Sequence, residues 1–437
     1  MEEKVVSFLK KYEMDSFSID IKKTLLAFDS EIEKGLSKDA PVSICSIPMI
    51  ATYLNPSIAP RQNEKVLVVD AGGTNLRVGV AIFNGKDFEI LKIKETKMPG
   101  ITREYSAKEF FSYIAKMMEP FLDEATNIGF CFSYRVAMDK DLDGSLIAWA
   151  KEIKAKEVVG MKVGRALLDA IKDYSKKERK IVVLNDTTAV LLGGIPLDVD
   201  KKYDKYVGAI YGTGFNCCYM EEVKNITKVK GVEDKLMIIN TETGNFNGFT
   251  RGVFDEELNN NSLMVGEALT EKMSSGRYLS TLIYKALSKG AQEGLFSGKV
   301  VLPNEKDFDL PLVSMYLAGV NQDLDKCFDS PNDIKIFKDL ALELINRASK
   351  VVATTISAFA IKSNVKRIGI IIEGSTFYKL PTFKESFNNY LKEILDSKNI
   401  EYELFDGRDR ILIGAALAAM SKMWKKKGLI TWKNFCF

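Results

Sequence analysis

The run Lys65-Val66-Leu67-Val68-Val69-Asp70-Ala71-Gly72-Gly73-Thr74-Asn75-Leu76-Arg77 constrains this chain more than any other. Apolar residues lead into Asp70, then a Gly-Gly-Thr turn, then a second apolar run from Val78 to Phe83. The pattern predicts two strands joined by a tight loop. Gly72 and Gly73 have no side chain to block an approaching anion, and they can take φ > 0. Successive backbone N–H groups in such a turn form a nest for phosphate oxygens. Asp70 stands where it can hold a hydrated Mg²⁺ beside that phosphate. Taken alone, the segment reads equally as a plain hairpin. The device returns, however. Tyr206 to Tyr211 leads into Gly212-Thr213-Gly214-Phe215-Asn216 and then a new run from Cys217 to Met220. Two strand–turn–strand cradles in one chain point to a duplicated nucleotide-binding scaffold, although few residues match between them.

At 437 residues the chain is long enough for two domains with full cores. A net charge of +3 gives no reason to expect a nucleic-acid or membrane partner. The one compact basic run, Lys425-Lys426-Lys427, sits where a helix should end, and helix-dipole complementarity explains it. The longest apolar stretch, Ile411 to Met420, is too short for a bilayer span. Met1-Glu2-Glu3-Lys4 opens no signal-peptide core. The 6 cysteines include no Cys-x-x-Cys pair. These features together predict a cytoplasmic protein. The chain has no histidine, which excludes Ser-His-Asp and Cys-His catalysis and the common zinc sites. A general base must then be a carboxylate, Lys, Tyr or thiolate.

Met1 to Leu36 reads as helical, and strands are expected at Val66–Val69, Val78–Phe83, Phe88–Ile93 and Ile128–Phe132. Ser106-Ala107-Lys108-Glu109 is a capping box that opens an amphipathic helix through Phe121. A buried strand, Ile181–Leu184, ends at Asn185-Asp186, with a helix starting near Thr188. The second half repeats the order. Strands fall at Val207–Tyr211, Phe215–Met220, Leu236–Asn240 and Arg367–Ile372, with helices over Gly266–Ser288, Ile334–Ile361 and Ile411–Met423. The alternation predicts an α/β protein of two related lobes with the ligand site between them.

Polar residues gather at the ends of the predicted strands, where an α/β site should lie. Asp186 is placed to accept the proton of an attacking hydroxyl. Phosphoryl transfer asks little of its base, so an ordinary carboxylate serves. The local pattern fits a helix cap at Asp186 as well. Asn and Glu side chains such as Asn185, Asn216 and Glu242 supply bidentate partners for a polyhydroxylated ligand. Lys151 either neutralises the moving phosphoryl group or is a solvated surface lysine. Neither a P-loop nor a dinucleotide-binding Gly-x-Gly-x-x-Gly fingerprint is present.

At this point the chain resembles the hexokinase family, within the actin-like ATPase-domain superfamily, over about residues 31–422. Leu67–Arg77 and Gly212–Glu221 resemble its two phosphate segments. Gly129-Phe130-Cys131-Phe132-Ser133-Tyr134 with Asp143–Lys151 resembles its sugar-binding segment, and Leu184-Asn185-Asp186-Thr187 the segment with the catalytic Asp. Asn240-Thr241-Glu242 and Glu271–Gly276 resemble the two sugar-binding glutamate segments. Glu373-Gly374-Ser375 resembles the adenosine segment, and Gly414-Ala415-Ala416 the final connecting helix.

The resemblance implies two actin-like lobes of ribonuclease-H-like type, each a mixed sheet with flanking helices, and a cleft between them. The small lobe is expected over residues 63–187 plus 411–430, and the large lobe over 1–62 plus 188–410. It further implies transfer of the ATP γ-phosphoryl group to the 6-hydroxyl of glucose or another hexose, with Mg²⁺, by a monomer or homodimer. Asp186 would be the base, with Lys151 beside the phosphoryl group. Ser133, Lys151, Asn185, Asp186, Asn216, Glu242 and Glu271 would grip the sugar. Gly72, Gly73, Thr74, Asn75, Arg77, Thr213 and Gly214 would hold phosphates. Asp70 would hold Mg²⁺ through water, and Glu373, Gly374 and Ser375 would lie by the adenosine. Sugar binding should close the lobes and expel water.

Four positions depart from the family pattern. Arg135 stands for Pro, Ala150 for Thr, Thr243 for Trp, and Glu373 for Asp. Loss of the hydroxyl at position 150 weakens sugar affinity by about 0.5–1.5 kcal/mol. Two other readings follow from the same residues: a hexose sensor without turnover, and an ATPase chaperone of the same superfamily. The second has no use for Asn185, Glu242 and Glu271 together.

Overall fold

Residues 1–39, 45–149 and 153–421 are described by the structure, a computed structural model. Ala150, Lys151, Lys425–Lys427 and the end of the expected small lobe lie outside the described residues.

The N-terminal helical stretch is broken in two. Helices α1 (Glu3–Lys11) and α2 (Ile21–Leu36) are separated because Asp15 and Asp20 accept hydrogen bonds from the backbone N–H groups of Ser18 and Lys23. A short strand β1 (Ile50–Ala51) follows. The first cradle is a hairpin, β2 (Lys65–Ala71) and β3 (Asn75–Phe83), continued by β4 (Phe88–Lys97). The Ser106/Glu109 capping box opens α3 (Ala107–Met118), and β5 (Asn127–Phe132) comes next. A hairpin absent from the sequence reading, β6 (Arg135–Met138) and β7 (Gly144–Ala148), precedes α4 (Val163–Ile171), β8 (Lys180–Leu184) and α5 (Asp186–Gly194).

The second half begins with β9 (Lys205–Tyr211), β10 (Phe215–Glu222) and β11 (Leu236–Asn240). Helices α6 (Val253–Asn260), α7 (Leu269–Ser274), α8 (Gly276–Gln292), α9 (Leu310–Leu317) and α10 (Pro331–Lys362) follow. The helix expected over 266–288 is α7 plus α8. Its break at Ser275 lets the Gly276 N–H reach the Gly212 carbonyl at 2.9 Å. Strand β12 (Arg367–Glu373), helices α11 (Ser375–Lys379) and α12 (Phe383–Asp396), strand β13 (Glu401–Asp406) and helix α13 (Arg410–Ser421) complete the fold.

The duplication is plain in the sheets. One is five-stranded, ordered β4-β3-β2-β5-β8; the other is ordered β1-β11-β10-β9-β12-β13. In each, an antiparallel three-strand meander is followed by two strands that pair in parallel on the side of its first strand. Only β1 is extra. One buried cluster fills the flank of the first sheet, from Leu67 to Val183; a larger one joins α1, α2 and α10 to the second sheet. Helices α5 and α13, each following the last strand of its sheet, meet between the two sheets. Their contact is backbone on backbone. A Cβ on Gly414 would lie 1.9 Å from the Ala189 carbonyl oxygen, so no larger residue fits there.

Candidate active site

The cleft residues come from the C-terminal ends of β2, β5, β8, β11 and β12 and from the two Gly-Thr turns. The first turn is closed by the Gly72 N–H donating to the Asn75 carbonyl at 3.0 Å. Neither Gly72 nor Gly73 has positive φ, so their left-handed freedom is unused. Their role there is the absence of a side chain. Thr74 and Asn75 are exposed at the tip, and the Asn75 amide donates to Glu95 at 2.7 Å. In the second turn Gly212 N–H donates to the Gly214 carbonyl at 3.0 Å, and Arg277 N–H to the Thr213 carbonyl at 3.2 Å. The one cleft glycine that needs its conformation is Gly374, at φ 129, where a Cβ would lie 2.1 Å from the Tyr211 carbonyl oxygen. Gly374 therefore sits directly on the second turn, and Ser375 is exposed beside it.

Asp70 and Arg77 face each other across the β2–β3 ladder. The guanidinium donates to Oδ2 of Asp70 from Nε at 3.0 Å and from Nη2 at 2.7 Å. Oδ1 of Asp70 is buried without a hydrogen-bond partner. Burial pushes the Asp70 carboxyl up, Arg77 pulls it back, and the charge of Asp186 adds to the upward push.

At the end of β8, Asn185 is the N-cap of α5, accepting from Thr187 N–H at 2.9 Å. Asp186 is the first residue of that helix rather than its cap, and it is half-buried. Capping uses only the amide oxygen of Asn185, so its NH₂ group is left to donate elsewhere. Ser133 follows β5, with its N–H donating to the Ala71 carbonyl at 3.1 Å. The next residue, Tyr134, donates its hydroxyl to the Gly72 carbonyl at 2.6 Å, tying this loop to the first turn.

Asn216, Asn240 and Glu242 form a ladder. The Asn216 amide donates to Asn240 at 2.8 Å, and the Asn240 amide donates to Oε1 of Glu242 at 2.8 Å. Glu242 holds a left-handed backbone, φ 55, as the chain leaves β11, an uncommon conformation for this residue type. Burial raises its carboxyl above the usual range, opposed by Asn240 and the positive charge of Arg135, and reinforced by Asp186 and Glu271. Glu271, on α7, accepts the Phe215 N–H at 3.0 Å, and a Cβ on Gly214 would lie 2.8 Å from its Oε2.

Asp186 is the common centre. Its charge acts on Asp70 beside the first turn, on Glu242 of the ladder, and on Glu373 beside the second turn. The sequence reading missed Tyr134, Asn240 and Arg135 as cleft residues. Tyr134 and Asn240 stood inside segments that carry the family resemblance and Arg135 was one of its departures, but the contacts of Tyr134 with Gly72 and of Asn240 with Asn216 join separate segments and carry no local signal. Among the described residues no group of three or more His, Cys, Asp or Glu side chains converges as a metal site.

Glu373 carries the clearest titration. Burial, then the charge of Asp186, lift its carboxyl to about 7, with Arg77 opposing. Its proton is held more tightly folded than unfolded, so its ionisation costs stability as pH rises from about 4.5 to about 7. Glu373→Gln is therefore expected to stabilise the protein at pH 8 by on the order of 2 kcal/mol and to be neutral near pH 4.5. Urea titrations at the two pH values check this; equal effects at both would assign the change to packing.

Two family models described as hexokinase match the chain, one over residues 4–195 and the other over residues 206–421. Hexokinase-2 of Candida albicans is 28% identical over 409 residues, 84% of this chain and 81% of that protein. Hexokinase-1 of Arabidopsis thaliana is 28% identical over 470 residues, 96% of this chain and 91% of that protein. Among solved structures, a hexokinase from Schistosoma mansoni complexed with glucose superposes with a TM-score of 0.80 at 25% identity. That match covers 96% of this chain and 98% of the other. The paired sheets and the cleft thus have the two-lobed, actin-like arrangement of these relatives.

Proposed function

The chain belongs to the hexokinase family, and we propose on that premise that it transfers the ATP γ-phosphoryl group to the 6-hydroxyl of a hexose, glucose first. The finding that carries this reading is that hexokinase family models match both halves of the chain, in which both glycine turns and the Asn216–Asn240–Glu242 ladder are formed. Asp186 is the base that takes the hydroxyl proton. Asn185, Ser133, the Asn216–Asn240–Glu242 ladder and Glu271 hold and orient the sugar. Backbone N–H groups of the turns containing Gly72, Gly73, Thr74, Thr213 and Gly214 hold phosphates, and Gly374 and Ser375 flank the adenosine. Lys151 stays a sequence-based proposal for the charge on the moving group.

The residues present fit Mg²⁺. Oδ1 of Asp70 is a buried hard donor without a partner, and Mg²⁺ commonly takes one carboxylate together with substrate phosphates and waters. When bound, the ion neutralises phosphate charge. Arg77 fixes the Asp70 carboxylate by holding its other oxygen.

The lobes correspond to residues 63–187 with α13 and residues 1–62 with 188–410. The separate buried clusters on the two sheets support that division, and the seating of α13 on β2 and β5 supports placing it with the first lobe. Sugar bound between them aligns its hydroxyl and excludes water. A hexose sensor without turnover is not favoured, because relatives matched over most of their length are hexokinases.

A coupled assay for glucose 6-phosphate over a panel of hexoses and nucleotides tests the reading; sugar binding with no ATP-dependent product at any hexose would refute it. Within it, Tyr134→Phe is expected to loosen the first turn. It should cost about 0.5–1.5 kcal/mol of stability and raise KM for ATP more than KM for glucose. Steady-state kinetics in both substrates show whether the split has that sense.

A further inference from the structure

Two residues on the sugar side hold left-handed backbones, which an L side chain resists and only glycine adopts freely: Glu242 at φ 55 and Ala268 at φ 51. Such corners persist only where their surroundings over-determine them. Each aims a glutamate. At Glu242 the chain leaves β11 and enters the turn Thr243–Asn245. Ala268 is the N-cap of α7, and its carbonyl accepts the Lys272 N–H at 2.8 Å, the first bond of the helix that carries Glu271. One side chain touches both corners. The Asn245 amide donates to the Glu242 carbonyl at 3.3 Å, and its Oδ1 accepts the Ala268 N–H at 3.1 Å. A carbonyl on one side and an N–H on the other fix which way the amide points. The turn also presses on the second glutamate: a Cβ on Gly244 would lie 3.3 Å from Cβ of Glu271 and 2.9 Å from the Phe215 carbonyl oxygen.

We propose that Asn245 is a positioning residue of the sugar site: its amide clamps the corners at Glu242 and Ala268 and so fixes the two sugar-side glutamates relative to each other. This rests on the hexose-kinase reading. Between the corners the chain runs out through α6 and back, so chain connectivity does not set their spacing. A sugar ring is rigid, and two carboxylates accept from its hydroxyls together only when their separation matches. Without the amide each corner relaxes toward the ordinary backbone regions, and the glutamate it aims moves. The excursion itself has other supports. Oγ1 of Thr270 donates to the Phe246 carbonyl at 2.7 Å. The buried Lys272 ammonium donates to Oδ1 of Asn259 at 3.0 Å and to the Met264 carbonyl at 2.6 Å. Loss of Asn245 thus frees the corners and leaves the segment folded.

Asn245→Ala should raise KM for glucose about tenfold and leave KM for ATP within about twofold, with a smaller change in kcat. Asn245→Asp keeps the side-chain shape and the acceptor for Ala268 but loses the donor to Glu242, so its KM for glucose should rise by a smaller factor. Ala268→Gly supplies the residue that holds positive φ unaided. In the Asn245→Ala background it should recover part of the lost KM, while in the wild-type background it has no displaced corner to restore. Wild-type KM for glucose in both Asn245 variants would overturn the proposal and leave the hexose-kinase reading intact, as would equal effects of Ala268→Gly on KM in the two backgrounds.

The same cycle in thermal stability needs no turnover. Ala268→Gly should stabilise the wild type, where the clamp holds Ala268 strained, by more than the Asn245→Ala variant, where the corner has relaxed. Additive effects overturn the clamp. Were the wild type to phosphorylate no hexose, the functional reading would fall with the sugar-positioning role, and the cycle would still judge the clamp.

Discussion

Asp186→Asn is expected to lower kcat by about 10²–10⁴-fold while glucose still binds. The substitution keeps the shape of the side chain and the helix start at α5, whose cap is Asn185. It removes only the capacity to accept a proton. The loose transition state of phosphoryl transfer asks for proton removal late, so the lower end of that range is as meaningful as the upper. Calorimetric glucose binding separates lost chemistry from lost fold. A variant with near wild-type kcat would take the carboxylate out of the mechanism, and one without sugar binding would make Asp186 chiefly a binding group.

The second large effect lies away from the cleft. Arg347, midway along α10, and Asp255, on α6, are each 1% exposed and form a buried ion pair. One arm joins Nη1 to Oδ1 at 3.3 Å, and Nη2 contacts Oδ2 more closely. Oδ2 also accepts the Gly252 N–H at 2.8 Å, at the start of α6. Arg347→Ala strands that carboxylate among apolar neighbours and is expected to cost about 3–5 kcal/mol, a large part of a domain's stability. Replacing both partners together, as Arg347→Met with Asp255→Leu, should recover most of the loss, since the penalty comes from the unpaired charge rather than from a missing bond. Denaturant unfolding of the single and double variants measures this. A loss below about 1 kcal/mol in Arg347→Ala would mean that water or another group reaches Asp255.

Much of the scaffold was legible because its signals are local. Apolar runs that stop at Gly-Gly-Thr and Gly-Thr-Gly mark β2–β3 and β9–β10, and Ser106 with Glu109 marks the start of α3. The split of the N-terminal helix was missed because apolar spacing runs on across the Asp15 and Asp20 caps. The β6–β7 hairpin was missed because its strands are short and its pairing depends on the packing of Val136 and Leu146 against the first sheet. At Asp186 the residue type could not separate a cap from a base. In the structure Asn185 takes the cap, and the base is the role proposed for Asp186.

The sequence by itself determined which residue types were available: no imidazole, two glycine turns, and carboxylates and amides at strand ends. Periodicity and turn chemistry act over a few residues, so they also determined most strands and several helices. Only the tertiary structure decided which of those residues share a cleft. Tyr134 on Gly72, Asn216 on Asn240, Glu271 on Phe215 and Gly374 on Tyr211 are relations through space, between segments well apart in the chain. Charge and hydrogen bonding act over ångströms of space rather than over positions in sequence, so these pairings exist only once both sheets have formed and packed around α5 and α13.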